Sequence, residues 1–292
     1  MNNGIEINLP IKDQYDVENL ILGHFNLIHY GHYLLFQKLS NFSFLIFKNN
    51  PNKLKAPYSL EERINNLSFY KPDYIFIYDI FKYNIAPLEF INQVLLKLNP
   101  KMITVGSDFL FGTNKSGGIN LLKKYFNLNV IEREKEYSTT NIVSLLEDGD
   151  FEGANKKLTF NFYYCGHVIK GKGLASNLKT PTANIEDYKN LKVKNGSYIS
   201  CVQIGNKLYK AISFIGIPKS FELNKSFVET HIFDFNQNIY CEKIKVYPLK
   251  FIRENQKFSD FKQLSNAIEN DCKIARNFFK DFDINKINIF PF

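Results

Sequence analysis

The chain has no tryptophan, two methionines and four cysteines in 292 residues. Cys165, Cys201, Cys241 and Cys272 lie far apart, with no Cys-x-x-Cys pair and no metal-ligand spacing. That excludes a zinc module and a disulfide framework, and points to reduced thiols in a cytoplasmic protein. No apolar run approaches the ~20 residues of a membrane span. The opening Met-Asn-Asn-Gly-Ile-Glu has neither the basic start nor the apolar stretch of a secretory signal. A soluble, intracellular protein without membrane association is the expectation. Long basic runs are missing too, which weakens the case for a nucleic-acid partner.

What is plentiful is phenylalanine (28) and tyrosine (17), with much Asn, Lys and Ile. This reads as a bias of the genome, so a single exposed aromatic carries little functional weight. A hydrophobic share of 45% is enough for real cores. The length suggests about two domains at ~150 residues each. Charge separates the halves: residues 1–158 hold 17 Lys+Arg against 17 Asp+Glu, and residues 159–292 hold 20 against 12. The whole excess of +8 therefore lies in the second half. Such a surface suits polyanions such as nucleotides, or is simply a solvated lysine face.

In the first half, short apolar strands alternate with helices. Strands are expected at 18–24, 43–47, 74–78, 102–105 and 129–132. Helices are expected at 29–39, 59–67 (with Ser59 and Glu62 as a capping box), 87–98 and 120–125, and at 144–158 with a break near Gly149. This alternation implies right-handed crossovers and a parallel sheet, whose ligands bind beyond the carboxyl ends of the strands. Two strand ends carry glycine, Gly23 and Gly106. After Gly23 the chain reads His24-Phe25-Asn26-Leu27-Ile28-His29-Tyr30-Gly31-His32. His29 and His32, three apart at a helix start, share one face beside unpaired N–H groups. Gly31 between them leaves room for a nucleotide at the backbone. The pattern suits a triphosphate and the charge of an in-line phosphoryl transition state.

The second half changes character after a connector at 155–162. Strands are expected at 163–169, 196–204, 207–215, 227–235 and 238–251, with Gly205-Asn206 as a hairpin turn. About six strands without helices between them suggest a closed antiparallel barrel. A terminal helix over 259–279 follows, with Phe261, Leu264, Ile268, Cys272 and Ala275 on one face. Three clusters carry chemistry. Gly166 to Gly173 is a loop whose N–H groups can wrap phosphates; it is not a P-loop, because Gly173 stands where the hydroxyl is needed and no helix follows. Thr182 and Asn184 offer oxygens to a hard cation, and Glu229 stands as a general base. Together these are the parts of a hydroxyl kinase.

These residues resemble a known family. Gly23 to His32 is similar to the opening motif of the adenylyltransferase half of bacterial bifunctional FAD synthetases. Gly106-Ser107-Asp108-Phe109-Leu110-Phe111-Gly112, with Gly117 beyond, resembles that family's second motif. In the other half, Gly166-His167-Val168, Pro181-Thr182-Ala183-Asn184 and Glu229-Thr230-His231-Ile232-Phe233-Asp234-Phe235 resemble the riboflavin kinase half, as do Ile215-Gly216 with Pro218 and Ile252-Arg253-Glu254 with Phe258. The resemblance implies a Rossmann-like nucleotidyltransferase domain in 1–158 and a β-barrel kinase domain with a terminal helix in 159–292. It implies ATP contacts at Gly23, Phe25, Asn26, Gly31, Gly106, Asp108 and Thr140 in the first. In the second it implies ATP at Gly171, Lys172, Gly173 and Thr182, Mg²⁺ at Thr182 and Asn184, riboflavin or FMN at Arg253 and Phe258, and Glu229 as base.

The sequence also departs from the family. Asn26-Leu27 replaces Asp-Gly, Asn50-Pro51 replaces His-Pro, and Val143 stands where the family has an arginine. Ala175-Ser176 and Lys179-Thr180 depart beside the phosphate loop. A kinase with a scaffolding first domain is one alternative. A non-catalytic flavin- or nucleic-acid-binding regulator is another. Oligomeric state is not legible.

Overall fold

The computed structural model describes residues 4–48, 57–169, 182–186, 191–217 and 227–290. The chain forms two compact units, Met1–Thr139 and Thr140–Phe292.

The first unit is a parallel sheet. Its strands are β1 (Ile5–Glu6), β2 (Asn19–Gly23), β3 (Ser43–Phe47), β4 (Ile75–Tyr78), β5 (Met102–Gly106), β6 (Leu110–Phe111), β7 (Gly117–Gly118) and β8 (Leu128–Ile131). Six of them hydrogen-bond in the order β1-β4-β3-β2-β5-β8, every pair parallel, and β6 and β7 form a separate antiparallel pair. Every residue of β3 and β4 is buried, as expected of strands covered on both faces. Alternate residues feed two cores. Leu20, Leu22, Leu45, Phe47 and Phe76 pack with Phe90, Val94 and Leu98; Ile21, Phe44, Ile46 and Ile75 pack with Leu35, Phe36 and Leu67. Strand order reverses between β2 and β5. That switch point lies at Gly23 and Gly106, where a crevice for ligand opens in such sheets.

The helices differ in detail from the sequence expectation. At 29–39 only α1 (Tyr30–Tyr33) is helical; beyond it Leu35 N–H bonds to His32 O and Phe36 N–H to Tyr33 O, a tightening to i+3 bonds. α2 (Leu60–Ser68) carries the capping box: Ser59 Oγ accepts Glu62 N–H at 3.2 Å and Glu62 Oε2 accepts Ser59 N–H at 2.8 Å. The segment starting at Pro87 runs as α3 (Pro87–Phe90), a π-turn (Ile91–Leu95) and α4 (Leu96–Leu98), and stops at left-handed Asn99. α5 is Ile119–Leu122.

The second unit begins with α6 (Thr139–Glu147) and α7 (Phe151–Asn155), separated by Gly149 at φ +79°. A side chain there would need a strained backbone and would meet the Tyr198 hydroxyl at 2.8 Å. Six strands follow: β9 (Tyr164–His167), β10 (Thr182–Glu186), β11 (Gly196–Ile204), β12 (Lys207–Gly216), β13 (Phe227–Ile232) and β14 (Lys243–Glu254). Their order is β10-β13-β12-β11-β14-β9, all antiparallel. Ile169, just past β9, donates its N–H to Asn184 O of β10 at 2.8 Å. The two ends of the sheet thus meet in a nearly closed barrel. β10 was read from the sequence as a polar cluster; it is a strand whose residues alternate between a buried and a half-buried face.

The terminal helix α8 (Phe261–Asp281) is tied to the barrel by charge. Arg253 of β14 donates from Nε to both carboxylate oxygens of Asp271 at 2.9 and 3.0 Å, and its second amine lies 2.8 Å from Oδ2. Asp271 is buried. Asp271→Asn leaves the Arg253 cation without its bidentate partner. Loss of about 3 kcal/mol of unfolding free energy is expected, measured by urea denaturation of the full chain; a change under ~0.5 kcal/mol would contradict this role.

Candidate active sites

In the first unit, β2 delivers the chain to Gly23 and a left-handed Phe25 at φ 48°. The Phe25 ring turns inward and packs 4.8 Å from the His32 ring and 5.0 Å from Phe44. It is buried and so acts as the backing of His32. Asn26 is also buried. His29 caps α1, with Nδ1 accepting the His32 N–H at 3.1 Å. His32 Nδ1 donates to Leu27 O at 2.8 Å. These bonds fix the neutral tautomers: His29 carries its proton on Nε2, and His32 keeps Nε2 as an acceptor. The two rings stack with centroids 3.7 Å apart at 16°. Burial pushes both imidazoles well below the ordinary histidine range, and the Arg133 charge pushes both the same way. Each pair member thus resists a proton until an anion arrives.

The second strand end supplies Gly106 and the exposed Asp108. Asp108 forms an ion pair with Arg133, beyond β8. Gly31 has a close neighbour: a Cβ there would sit 3.1 Å from both Tyr137 Cβ and Tyr137 O, and the Tyr30 and Tyr137 rings are 5.9 Å apart. The 132–137 segment therefore passes directly beside the histidine motif. The sequence reading missed Arg133 and also Arg63. Arg63 is 1% exposed and its guanidinium donates to His24 O and, at 2.9 Å, to Phe47 O. It ties together the ends of β2 and β3. An arginine one residue past a capping box was its only sequence signal. Asn50 lies outside the described residues, and Thr140 sits exposed in the first turn of α6.

In the barrel, β10 pairs with β13 so that Thr182 faces His231 and Asn184 faces Glu229. With side chains alternating, Thr182, Asn184 and Glu229 fall on one face. Thr182 and Glu229 are diagonal neighbours, and the Thr182 hydroxyl donates to Glu229 Oε1 at 3.0 Å. Burial raises the Glu229 pKa above the usual carboxylate value, while the Thr182 hydrogen bond lowers it. A hydroxyl, an amide and a carboxylate on one face form a hard oxygen set. It fits Mg²⁺ shared with substrate phosphates; among the described residues no cluster of three or more His, Cys, Asp or Glu forms a cage of its own. A cleft of about 310 Å³ opens beside Thr182, lined also by Val168, Ala183, Ile232, Phe235 and the Asn236–Tyr240 loop. The sequence expectation of a strand from residue 238 is not met there: the strand starts at Lys243, and the Asn-Gln-Asn run lies in the loop between the two strands instead. Arg253 and Phe258 come together, with the guanidinium 5.6 Å from the ring centroid. Gly171, Lys172, Gly173, Ala175-Ser176, Lys179-Thr180, Pro181 and Pro218 lie outside the described residues. No helix among the described residues is long and apolar enough to cross a membrane.

Because both imidazole pKa values are depressed, the unfolded chain takes up protons first. Stability is lost as pH falls from the unfolded-state value near ~6.5. Between about pH 7.5 and 5.5 the ring resonances of His29 and His32 are expected to stay in place; a titration of either ring in that window, followed by NMR, would refute a desolvated neutral pair.

Comparison with known proteins is consistent along the chain. The FAD synthetase family model matches residues 12–144 and the riboflavin kinase model residues 158–279. A bifunctional riboflavin kinase/FMN adenylyltransferase of Buchnera aphidicola subsp. Schizaphis graminum is 34% identical, covering 88% of this chain and 93% of its own. The protein of the same description from Mycoplasma pneumoniae is 30% identical over 90% and 97%. A trifunctional protein RibF/MnmA of Mycoplasmoides gallisepticum is 37% identical over 94% of this chain, which spans only 42% of that protein. Among solved structures, a protein of Streptococcus pneumoniae described as a macrolide-efflux protein superposes with a TM-score of 0.77 at 26% identity, over 89% of this chain and 94% of its own. With both domain models in order and two bifunctional relatives matched over most of their length, the chain belongs to the bifunctional riboflavin kinase/FMN adenylyltransferase family.

Proposed function

We propose that this protein phosphorylates riboflavin to FMN in residues 159–292 and adenylylates FMN to FAD in residues 1–158, with ATP as co-substrate of both steps. The observation that carries the reading is the Thr182–Glu229 hydrogen bond on one face of the barrel. Glu229 accepts the proton of the ribityl 5′-hydroxyl, whose oxygen then forms a bond to the γ-phosphorus of ATP; ADP leaves with the electrons of the broken β–γ bridge. Mg²⁺, held by Thr182 and Asn184, would neutralise phosphate charge when bound. The cleft beside Thr182 is wide and apolar enough for the nucleoside end of ATP, and Arg253 with Phe258 takes the flavin. In the first unit an FMN phosphate oxygen attacks the α-phosphorus of ATP and pyrophosphate departs. The His29 Nε2–H donates to the charge that develops, and Gly23, Asn26, Gly31, Gly106 and Asp108 bound the nucleotide. The four cysteines form no disulfide among the described residues, which supports a cytoplasmic setting. Residue 143 favours a second reading, a kinase with a silent first domain, because Val143 is buried in α6.

Purified full-length protein with riboflavin, ATP and Mg²⁺ is expected to form FMN and then FAD, resolved by chromatography. FMN alone, even when FMN is supplied, establishes the second reading; neither product overturns both. Glu229→Gln is expected to lower FMN formation by about 10²- to 10⁴-fold and to leave FAD formation from supplied FMN unchanged.

The pH dependence follows from the same pair. The base works only when ionised, so the FMN-forming rate falls as pH drops through the raised Glu229 pKa. Thr182→Val removes a hydrogen bond that favours the ionised form. Its acid limb is expected at higher pH than that of the parent protein, seen in kcat against pH; an unmoved limb would show that Glu229 is not the titrating base.

A further inference from the structure

We propose that Arg133 is a phosphate-binding residue of the adenylyl-transfer site, exchanging Asp108 for the β- and γ-phosphates of ATP. The inference rests on the adenylylation reading above and adds to it a residue that the sequence motifs do not contain.

The argument begins with placement. β5 and β8 run side by side, with Gly106 opposite Ile131, at the switch-point end of the sheet. Ser107 N–H bonds to Ile131 O at 2.9 Å, and Arg133 N–H donates to Ser107 Oγ at 3.1 Å. Two hydrogen bonds therefore fix the backbone at Arg133 against the Gly106-Ser107-Asp108 turn. Four residues on, Tyr137 packs against Gly31 and Tyr30, inside the histidine motif. Arg133 thus stands on a short bridge anchored at both halves of the nucleotide crevice. Its charge is felt by His29 and His32, which it holds further from protonation.

The pair it makes with Asp108 has little value as a stability device. Both side chains are about half exposed, at 47% and 54%, and such pairs contribute roughly 0–1 kcal/mol. As a parked cation it makes more sense. A guanidinium fork fits a carboxylate and a phosphate alike, so a polyphosphate can displace Asp108 with little rearrangement. The site needs such a group. The neutral imidazoles bring no charge, only the one free donor at His29 Nε2, and pyrophosphate leaves carrying the electron pair of the broken Pα–O bond. Val143, where the resembling family has arginine, brings none either. Arg63 is buried, with one terminal nitrogen donating to two backbone carbonyls, whereas the Arg133 side chain, among the described residues, pairs with an exposed carboxylate.

The test uses the full chain, FMN, ATP and Mg²⁺, with FAD and pyrophosphate quantified. Arg133→Ala is expected to lower kcat/KM for ATP in FAD formation by about 10²-fold, and Arg133→Lys to restore most of it as a point charge. FMN formation by the same variant proteins stays at the parent level and reports intact folding. Binding of inorganic pyrophosphate, followed on the His29 and His32 ring resonances, is expected to weaken at least ~10-fold in Arg133→Ala. If Arg133→Ala keeps parental kcat/KM in a parent that makes FAD, or parental pyrophosphate affinity, the proposal is overturned. A parent that makes no FAD yet binds pyrophosphate through Arg133 supports the site and removes the catalytic reading instead.

Discussion

Desolvation governs the chemistry of both units. Burial holds His29 and His32 neutral, and burial raises the proton affinity of Glu229. The two pKa shifts have opposite signs and the same origin, since an ion loses its hydration in either place. The neutral imidazole pair presents the His29 Nε2–H donor without attracting stray anions at long range, and it gains favourable charge character only when a polyphosphate lies against it. A carboxylate with raised pKa is a stronger base than a solvated one, so the hydroxyl proton has somewhere to go. Each site is thus set for its ligand by what surrounds it rather than by an unusual residue.

That setting depends on backbone register. On β10 and β13 the half-buried face carries Thr182, Asn184 and Glu229, while Ala183, Ile185 and Val228 fill the barrel. A slip of one residue would reverse every side chain, sending Glu229 inward and Thr230 outward. Thr230 instead shares a 2.8 Å hydrogen bond with Ser213 in the interior, so the polar members of the buried face are satisfied by each other. The parallel sheet achieves the same end differently: strand order reverses between β2 and β5, and the ends of those two strands carry the motif residues.

Most of this architecture was legible because buried parallel strands read as continuous apolar runs and barrel strands as alternation. β3 and β11 match the sequence expectation residue for residue. What was not legible depended on partners distant in sequence. α1 looked like three turns of helix from Leu34, Leu35 and Leu39, yet regular α-helix covers only Tyr30–Tyr33 and the chain continues in turns, mostly with i+3 bonds. β10, five residues with Thr and Asn in the half-buried positions, has too weak a pattern to announce a strand; pairing with β13 makes it one. Arg253 was assigned to flavin alone, and its hold on Asp271 was missed. The clue was present: Asp271 lies three residues after Ile268 and four before Ala275, on the apolar stripe of α8, where a carboxylate calls for a buried cation.

The departures from the family pattern also have a physical reading. Asn26 and Val143 are both buried, so these positions now serve packing and hydrogen bonding within the protein. Whatever charge adenylyl transfer requires must then come from cations elsewhere at the strand ends, and two arginines stand there. Their hydrogen bonds distinguish them. Arg63 donates to backbone carbonyls of His24 and Phe47; releasing them would loosen the ends of β2 and β3 and leave two buried acceptors unpaired, at a cost of about 1–3 kcal/mol each. Arg133 donates to a solvated carboxylate, which water satisfies as soon as the arginine leaves. A cation that exchanges partners during a reaction must be one whose first partner does not suffer from the exchange, and by that criterion Arg63 builds the site while Arg133 is equipped to act in it.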